Sequence, residues 1–308
     1  MRPTVLLTRK IPSSVVTRLE ASCDVEQFEG SGTMSRGELL ARIRGKQAVM
    51  SVLTDAIDRE VLEVGSALKV IANIAVGYNN VDVAAARERG IVITNTPDVL
   101  TGATADLTWA LILGITRRLG EGERLVRRGE WSGWAFDQLL GMELRGRQLG
   151  IVGFGRIGRA VADRAAAFGM QVAHTGRDAG AMPLDRLLST SDVVSIHVPL
   201  REDTRHLIDQ PALARMKRSA YLVNTARGPV VDEAALVWAL KNRIIAGAAL
   251  DVYEKEPESH AGLLPLENVL LVPHLGSATT ETRTAMADLA ASNVLAVLAG
   301  ASAPNPVA

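Results

Sequence analysis

The stretch Gln148–Arg159, Q-L-G-I-V-G-F-G-R-I-G-R, decides the fold of this 308-residue chain. An apolar run leads into three glycines with the spacing G-x-G-x-x-G, and a helical pattern follows at once. In such a motif the first glycine permits a tight turn, the second admits a pyrophosphate close to the backbone, and the third lets the helix pack against its strand. A glycine turn without a ligand is the alternative, but strand, loop and helix follow here in the required order. The motif therefore predicts a dinucleotide site whose contacts are Gly153, Gly155, Arg156, Ile157 and Gly158.

Short β-branched runs alternate with amphipathic helical patterns on both sides of this motif, which favours parallel sheets covered by helices. The earlier strands are predicted at Thr4–Thr8, Val25–Phe28, Gln47–Ser51, Lys69–Ile74 and Ile91–Thr94. The later strands are predicted at Gln148–Gly153, Gln171–Thr175, Val193–Val198, Ala220–Asn224, Ala246–Asp251 and Val269–Val272. Helical patterns include Ser35–Arg44, Val81–Arg89, Arg156–Phe168, Glu233–Asn242 and Thr284–Ala299. We expect two doubly wound α/β domains, linked by the long helical segment Gly102–Arg128, and a frayed tail at Ala303–Ala308.

Composition argues for a small-molecule partner in a reducing compartment. Lys plus Arg and Asp plus Glu both total 34, so no excess of one charge draws the chain to nucleic acid or to an anionic membrane. Cys23 is the single cysteine, which excludes an internal disulfide and argues against a thiolate metal site. The start, Met1–Lys10, lacks the features of a signal peptide, and no uncharged apolar run is long enough to span a bilayer. We therefore expect a cytoplasmic protein without a bound metal.

The end of the strand after the glycine motif selects the cofactor, because an acidic residue there binds the ribose hydroxyls of NAD. This chain has His174-Thr175-Gly176-Arg177 at that point, without a carboxylate. The guanidinium of Arg177 can pair with a 2′-phosphate through two parallel hydrogen bonds, so Thr175, Gly176 and Arg177 predict NADPH or NADP as the cofactor. In the alternative interpretation Arg177 is a solvated loop residue and Asp178 binds the ribose, which leaves NADH possible.

Three chemically active side chains follow predicted strands: Arg227 in N-T-A-R-G-P, Glu256 in D-V-Y-E-K-E-P and His274 in V-P-H-L-G-S. Reduction of a 2-oxo acid needs a cation for the carboxylate and carbonyl oxygen, and a proton donor for the alkoxide. An arginine meets the first need and a histidine the second, and a neighbouring carboxylate orients the imidazole. Each residue alone has another interpretation: a surface arginine, a solvated acid in a turn, or a core histidine.

Together the motifs resemble the D-isomer-specific 2-hydroxyacid dehydrogenase family along nearly the whole chain, most closely its glyoxylate/hydroxypyruvate reductase branch. The matching stretches are Ala75–Asp82, Thr94–Leu100, Gly153–Gly158, His197–Leu200, Asn224–Pro229, Ala249–Val252 and Pro273–Ser277. Several motifs in the family's order are far more specific than any one of them. Two features depart from many relatives: Asn79 replaces an aspartate, and the acidic ribose ligand of NAD-using relatives is absent.

The resemblance implies the reduction of a small 2-oxo acid such as glyoxylate or hydroxypyruvate. By resemblance, His274 would be the general acid, Glu256 its orienting carboxylate, and Arg227 the clamp that binds the substrate and polarises its carbonyl. Glu254 is a competing acid close by. The family motif places the functional acid immediately before a proline, which favours Glu256.

The resemblance also implies further contacts with substrate and cofactor. Backbone N–H groups at Val76 and Gly77 would hold the substrate carboxylate. His197 would have a structural or adenosine-side role. Cofactor contacts are further implied at Thr104, Val198, Pro199, Thr225, Ala226, Asp251 and Gly276.

In the family's organisation, a Rossmann dinucleotide-binding domain, here residues 100–283, is inserted into a flavodoxin-like substrate-binding domain, here residues 1–99 and 284–308. Helices of Gly102–Arg128 would form much of a homodimer interface. Trp131 and Trp134 would approach the partner subunit's active site, or else lie as core aromatics under a loop. Two other functions stay open: an NAD-linked dehydrogenase that oxidises phosphoglycerate or D-lactate, and a dinucleotide-sensing corepressor similar to the C-terminal-binding proteins.

Overall fold

Parallel strands and helices alternate through the computed structural model, which describes residues 2–178 and 180–307. The strands are β1 (Thr4–Leu7), β2 (Asp24–Gln27), β3 (Ala48–Ser51), β4 (Val70–Asn73), β5 (Val92–Thr94), β6 (Gln148–Val152), β7 (Gln171–Thr175), β8 (Val193–Ile196), β9 (Tyr221–Asn224), β10 (Gly247–Leu250) and β11 (Val269–Leu271). The helices are α1 (Ser13–Glu20), α2 (Arg36–Arg42), α3 (Arg59–Val64), α4 (Val83–Glu88), α5 (Thr101–Thr116), α6 (Leu119–Arg127), α7 (Arg156–Ala165), α8 (Leu184–Thr190), α9 (Gln210–Arg215), α10 (Glu233–Lys241) and α11 (Thr280–Leu298). Every strand predicted from the sequence is confirmed.

The chain divides into two units, the first formed by Met1–Leu100 with Thr279–Ala308 and the second by Thr101–Ala278. The second crossing therefore precedes α11, whereas residue 284, where the sequence analysis placed it, lies inside this helix. The reason is local, because the Thr279 hydroxyl caps α11 by accepting the Thr282 N–H at 3.1 Å. No helix in the described part of the chain combines the length and apolarity that crossing a membrane requires.

In the first unit the strand order is β2-β1-β3-β4-β5, and all pairs are parallel. Successive strand residues point to opposite faces, so Leu6 packs in the cluster with α2, α3 and α4, whereas Val5 and Leu7 pack in the cluster with α1 and α11. Helices on both faces explain why the inner strands β1, β3 and β4 are mostly apolar and buried along their length, whereas the edge strand β2 is polar.

The prediction of a frayed tail is wrong for residues 303–307. Pro306 forms an antiparallel bridge with Thr94 of β5, and the Val307 N–H donates to the Ile93 carbonyl at 2.8 Å. The Asn305 N–H donates to Asn293 Oδ1 on α11, also at 2.8 Å. The tail thus covers backbone groups that an edge strand otherwise leaves unpaired. Ala308 lies outside the described residues.

In the second unit the strand order is β11-β10-β9-β8-β6-β7, again all parallel. The chain runs from β6 outward to β7 and then crosses back to β8 on the other side of β6. Such a reversal opens a crevice at the carboxyl ends of the strands, which is where open α/β sheets bind ligands. The glycine motif follows β6 directly and therefore lies at this reversal.

The helical segment predicted at Gly102–Arg128 forms two helices, because Arg118 between α5 and α6 has a left-handed backbone with φ 53°. Helix α5 packs on α7, β9 and β10 of its own unit, and Trp109 and Ile112 are buried there. One face of α5 is therefore covered within its own unit, and the homodimer interface expected on helices of Gly102–Arg128 stays a prediction. Helix α6 has no buried residue and carries Leu119 and Val126 exposed.

Candidate active site

His274 and Glu256 meet at the carboxyl ends of two neighbouring strands. His274 Nδ1 lies 2.8 Å from Glu256 Oε2. The two residues come together because β10 and β11 are parallel neighbours, so the loops that follow them leave the same edge of the sheet. The side chains are 28% and 22% exposed, respectively, so a ligand can reach them. With Nδ1 engaged by the carboxylate, Nε2 is the ring atom left for chemistry.

The carboxyl group of Glu256 is held in its charged form. Burial works to raise the pKa of Glu256, but the hydrogen bond and charge of His274 outweigh it, so the pKa lies below its usual value. The backbone N–H of Tyr253, which donates to Glu256 Oε1 at 3.1 Å, and the charge of Arg227 act in the same direction. Glu256 can therefore orient the imidazole and stabilise positive charge on it.

Arg227 follows β9, the strand next to β10. Its guanidinium donates to the Ala226 carbonyl at 2.7 Å, and its own carbonyl accepts from Asn224 Nδ2 at 3.0 Å, which fixes the loop. Burial lowers the pKa of Arg227, whereas the charge of Glu256 raises it. An arginine stays charged in any case, and its fork of five N–H donors suits a carboxylate. The three residues predicted as a catalytic set thus follow three adjacent strands of one sheet.

The competing acid Glu254 has a different partner. Glu254 Oε1 lies 2.6 Å from His206 Nε2. The carboxylates of Glu254 and Glu256 therefore pair with different histidines, and Glu256 is the one that pairs with His274. The choice between the two acids, which depended on a proline in the sequence, agrees with this geometry.

The backbone at His274 is left-handed, with φ 54°, a conformation that costs a non-glycine residue roughly 1–2 kcal/mol. Asp251 holds this turn: its carbonyl accepts the His274 N–H at 2.9 Å, and its carboxylate accepts the Gly276 N–H at 2.9 Å. Burial raises the pKa of Asp251, although the N–H groups of Leu275 and Gly276, which donate to its carboxylate, and the charge of His274 lower it. The Gly276 carbonyl accepts from the Thr104 hydroxyl at 3.1 Å. The predicted cofactor contacts Thr104, Asp251 and Gly276 are thus one cluster beside His274.

The glycine motif has the geometry that a dinucleotide loop requires. Gly153 has φ 97°, which disfavours any side chain, and its N–H donates to the Thr175 hydroxyl at 3.1 Å. A Cβ at Gly158 would lie 2.3 Å from the Gly153 carbonyl oxygen, so only glycine lets α7 approach β6 this closely. A Cβ at Gly155 would meet open space, which leaves room for a ligand beside the backbone.

A groove of about 640 Å³ lies against this loop. The predicted cofactor contacts among its lining residues are Gly153, Gly155, Gly176, Arg177, Val198 and Pro199. Phe154, Arg159, Arg201 and Thr204 also line it, and the sequence analysis did not identify them. Arg201 could have been found, because it follows the H-V-P-L motif by a single residue. The groove combines arginines with exposed loop backbone, as a phosphate-bearing ligand requires.

Other predicted cofactor residues do not line this groove. Thr225 is buried and its hydroxyl lies 2.9 Å from that of Thr108 on α5, and the Ala226 N–H donates to Asn224 Oδ1. Arg156 and Ile157 form the first turn of α7.

Asp178, the alternative ribose ligand, already has two partners. Its carboxylate lies 2.9 Å from His174 Nε2 and 3.2 Å from Arg159. The hydrogen bond of His174 is the main reason that the pKa of Asp178 lies below its usual value. Phe154 stacks on the His174 ring at 3.8 Å. Arg177 is exposed at the edge of the groove, so its guanidinium is accessible to a ligand.

His197 also lines the groove, next to Val198. Its Nε2 lies 2.8 Å from the Ser195 hydroxyl, and burial lowers the pKa of His197 to about 3. The ring is therefore neutral at physiological pH, which suits a structural role.

In the first unit, the carbonyl oxygens of Val76 and Gly77 accept hydrogen bonds from side-chain amides. Asn95 Nδ2 donates to the Val76 carbonyl at 2.8 Å, and Asn73 Nδ2 donates to the Gly77 carbonyl at 2.9 Å. The loop is thereby fixed through its carbonyl oxygens, so the N–H groups are the part of these peptides that can serve an anion.

The exposure of two tryptophans rules out one interpretation of them. Trp131 and Trp134 are 54% and 81% exposed, so the interpretation of them as core aromatics is wrong. Across the described residues, no group of three or more His, Cys, Asp or Glu side chains is placed to hold a metal ion.

Comparisons with known proteins agree on one family. Residues 109–276 match the family described as D-isomer specific 2-hydroxyacid dehydrogenase, NAD binding domain. A glyoxylate reductase of Thermococcus onnurineus (strain NA1) is 47% identical over 100% of this chain and 96% of its own length. A solved structure of a Thermus thermophilus protein has a TM-score of 0.94 and 46% identity, covering 99% of this chain and 100% of its own. An NADPH-dependent glyoxylate/hydroxypyruvate reductase from Sinorhizobium meliloti, in complex with NADP and malonate, has a TM-score of 0.87 and 36% identity, covering 100% and 97%.

Proposed function

Because this chain belongs to the D-isomer-specific 2-hydroxyacid dehydrogenase family and is an NAD(P)-dependent oxidoreductase, we propose that it uses NADPH to reduce glyoxylate to glycolate or hydroxypyruvate to the D-2-hydroxy acid. The observation that carries the proposal is the pair of His274 and Glu256, 2.8 Å apart, in the loops that follow β11 and β10, with β9, which precedes Arg227, next to β10. The names of the relatives described above support the choice of substrate.

The residues present fit a dinucleotide, because the Gly153 turn and the close approach at Gly158 leave backbone exposed to a groove with arginines. The Gly153–Gly158 loop would hold the dinucleotide, whose reduced nicotinamide would supply a hydride for the carbonyl carbon. Arg227 binds the substrate carboxylate and polarises the carbonyl. His274 donates the proton from Nε2 to the carbonyl oxygen, while the charged carboxylate of Glu256 keeps the ring oriented and stabilises its protonated form.

Preference for NADPH over NADH is part of the proposal. Arg177, which follows β7, and Arg201, which follows β8, both line the groove, and a 2′-phosphate needs such cations. Asp178, which would serve the ribose hydroxyls of NAD, is engaged by His174 and Arg159. The assignment of the N–H groups of Val76 and Gly77 to the substrate carboxylate, and a cytoplasmic location, stay predictions.

Initial rates with NADPH and NADH on glyoxylate, hydroxypyruvate and pyruvate test the proposal. We expect the highest kcat/KM with NADPH and one of the first two acids. A strong preference for NADH would contradict the cofactor assignment and favour the NAD-linked dehydrogenase. Turnover at trace level with all three acids would favour a dinucleotide-sensing protein instead.

We also propose that a second copy of this chain covers the apolar surface of α6 and the following loop. Leu119, Val126, Trp134 and Phe136 are 60%, 59%, 81% and 85% exposed, which is more apolar exposure than a monomer normally keeps. The net charge is zero, so no charged partner is favoured. Light scattering should give the mass of a dimer for the wild type and of a monomer for the double variant Trp134→Ser, Phe136→Ser. A monomeric wild type would contradict this part of the proposal.

A further inference from the structure

A buried glutamate outside the proposed catalytic set, Glu233, anchors the loop that carries Glu256. Glu233 is the first residue of α10 and is 5% exposed. Its Oε1 accepts the backbone N–H of Glu254 at 2.8 Å. This N–H lies two residues before Glu256, so the buried carboxylate fixes the loop directly before the proposed orienting acid.

Helix α10 does not need this carboxylate. Asp232 already caps the helix by accepting the Ala235 N–H at 2.9 Å. An acidic residue in the first turn can favour the helix dipole equally well from an exposed position. Burial raises the pKa of Glu233, and burial of a carboxylate is unfavourable unless hydrogen bonds compensate for the lost water. The buried position is therefore explained by the loop and not by the helix.

Local hydrogen bonds rather than regular structure hold this loop. No strand or helix lies between β10 and β11, and within the loop the Glu258 N–H donates to the Lys255 carbonyl at 2.9 Å. Before Glu256, Tyr253 Oη donates to the Val272 carbonyl at 3.0 Å and the Glu254 carboxylate pairs with His206. After it, the Leu263 N–H donates to the His260 carbonyl at 2.9 Å. The position of Glu256 relative to His274 thus depends on how the residues next to it are anchored.

We propose that Glu233 is a positioning residue for the reaction: by binding the N–H group of Glu254 it fixes the loop that presents Glu256 to the His274 ring. The proposal rests on the proposed function, because it acts through the roles of Glu256 and His274. Glu233 touches neither substrate nor cofactor in this account. Its removal therefore lowers the rate of the chemical step and leaves cofactor binding unchanged.

The test compares Glu233→Gln and Glu233→Ala in the wild type and in a Glu256→Gln background. Alanine loses both acceptors and should lower kcat about tenfold, as loss of an orienting partner typically does. Glutamine keeps one acceptor oxygen and should recover part of the rate. In the Glu256→Gln background neither substitution should lower kcat further, because the residue through which Glu233 acts is already disabled. Glu258→Gln, an exposed acid on the same loop, is the matched control and should keep wild-type kcat.

A second readout does not depend on activity. The proton shared by His274 Nδ1 and Glu256 should give a low-field ¹H resonance that disappears in His274→Asn and weakens in Glu233→Ala. Wild-type kcat and an unchanged resonance in Glu233→Ala, with a lower Tm only, would overturn the positioning role. An equal loss of kcat in both backgrounds would overturn it as well. If Glu256→Gln alone keeps full activity, the proposed function fails first, and the two failures are thereby distinguished.

Discussion

Replacement of Glu256 by glutamine removes one charge and little volume from the proposed active site. The amide can still accept the Tyr253 N–H, which donates to Oε1 at 3.1 Å, but it cannot stabilise positive charge on His274. A hydrogen bond to a charged group contributes about 1.5–3 kcal/mol, and the pair is about a quarter exposed, so we take about 2 kcal/mol. If that energy is lost only when the ring is protonated for transfer, kcat falls roughly 30-fold.

Steady-state oxidation of NADPH with saturating glyoxylate measures this effect. His274→Asn should lower kcat by roughly 10²–10⁴, and the double variant should be no slower than His274→Asn alone, because Glu256 acts through the ring. Glu254→Gln is the matched control, since that acid pairs with His206 and not with His274. It should change kcat by less than about threefold.

Any of three results would refute this reasoning. Full kcat in Glu256→Gln would show that the carboxylate does not support proton transfer. Additive losses in the double variant would show that the two side chains act independently. An equal loss in Glu254→Gln would assign the effect to the loop as a whole.

Further predictions concern the cofactor groove and acid stability. Arg177→Ser should raise KM for NADPH about tenfold with little change for NADH, and equal changes for both would contradict the 2′-phosphate role. Gly158→Ala should lower Tm, because its Cβ would lie 2.3 Å from a carbonyl oxygen. Gly155→Ala should keep the wild-type Tm and raise KM for NADPH, because its Cβ would enter the space left for the ligand. Thermal melts and steady-state kinetics measure the two effects separately. Because the pKa of His197 is lowered to about 3, the unfolded chain binds a proton that the folded chain lacks, and stability falls as pH drops from about 6.5 toward 3. His197→Gln should reduce the loss of unfolding free energy between pH 7 and pH 4.5 by about 2 kcal/mol, whereas exposed His260→Gln should not; identical pH profiles in denaturant titrations would refute this.

Much of the fold could be predicted from the sequence because its signals are local. Most strands are buried on both faces and therefore stand out as apolar runs, and the glycine motif marks a loop where the backbone must lack side chains. The break in the helical segment at Arg118 was missed, because its φ of 53° is imposed by tertiary packing and no glycine or proline marks it. The docked tail was missed for a similar reason, since Pro306 pairs with β5, a strand far earlier in the chain.

The catalytic side chains of the candidate site could be predicted from the sequence, but the contacts that hold their loops could not. Arg227, Glu256 and His274 follow strands, and parallel topology brings strand ends to one edge. The sequence does not reveal that Glu254 pairs with His206, or that Glu233 reaches across to the loop. These contacts depend on where loops fold back, which is decided by backbone hydrogen bonds rather than by residue pattern.

The most direct test is a crystal structure with NADP and oxamate, an unreactive isostere of a 2-oxo acid. We expect His274 Nε2 to lie within about 2.7–3.2 Å of the oxamate oxygen that corresponds to the keto oxygen of a substrate. Arg227 should donate hydrogen bonds to the analogue, and Glu256 should keep its hydrogen bond with His274 Nδ1. An analogue bound elsewhere, or one whose oxygen faces a residue other than His274 and Arg227, would contradict the account.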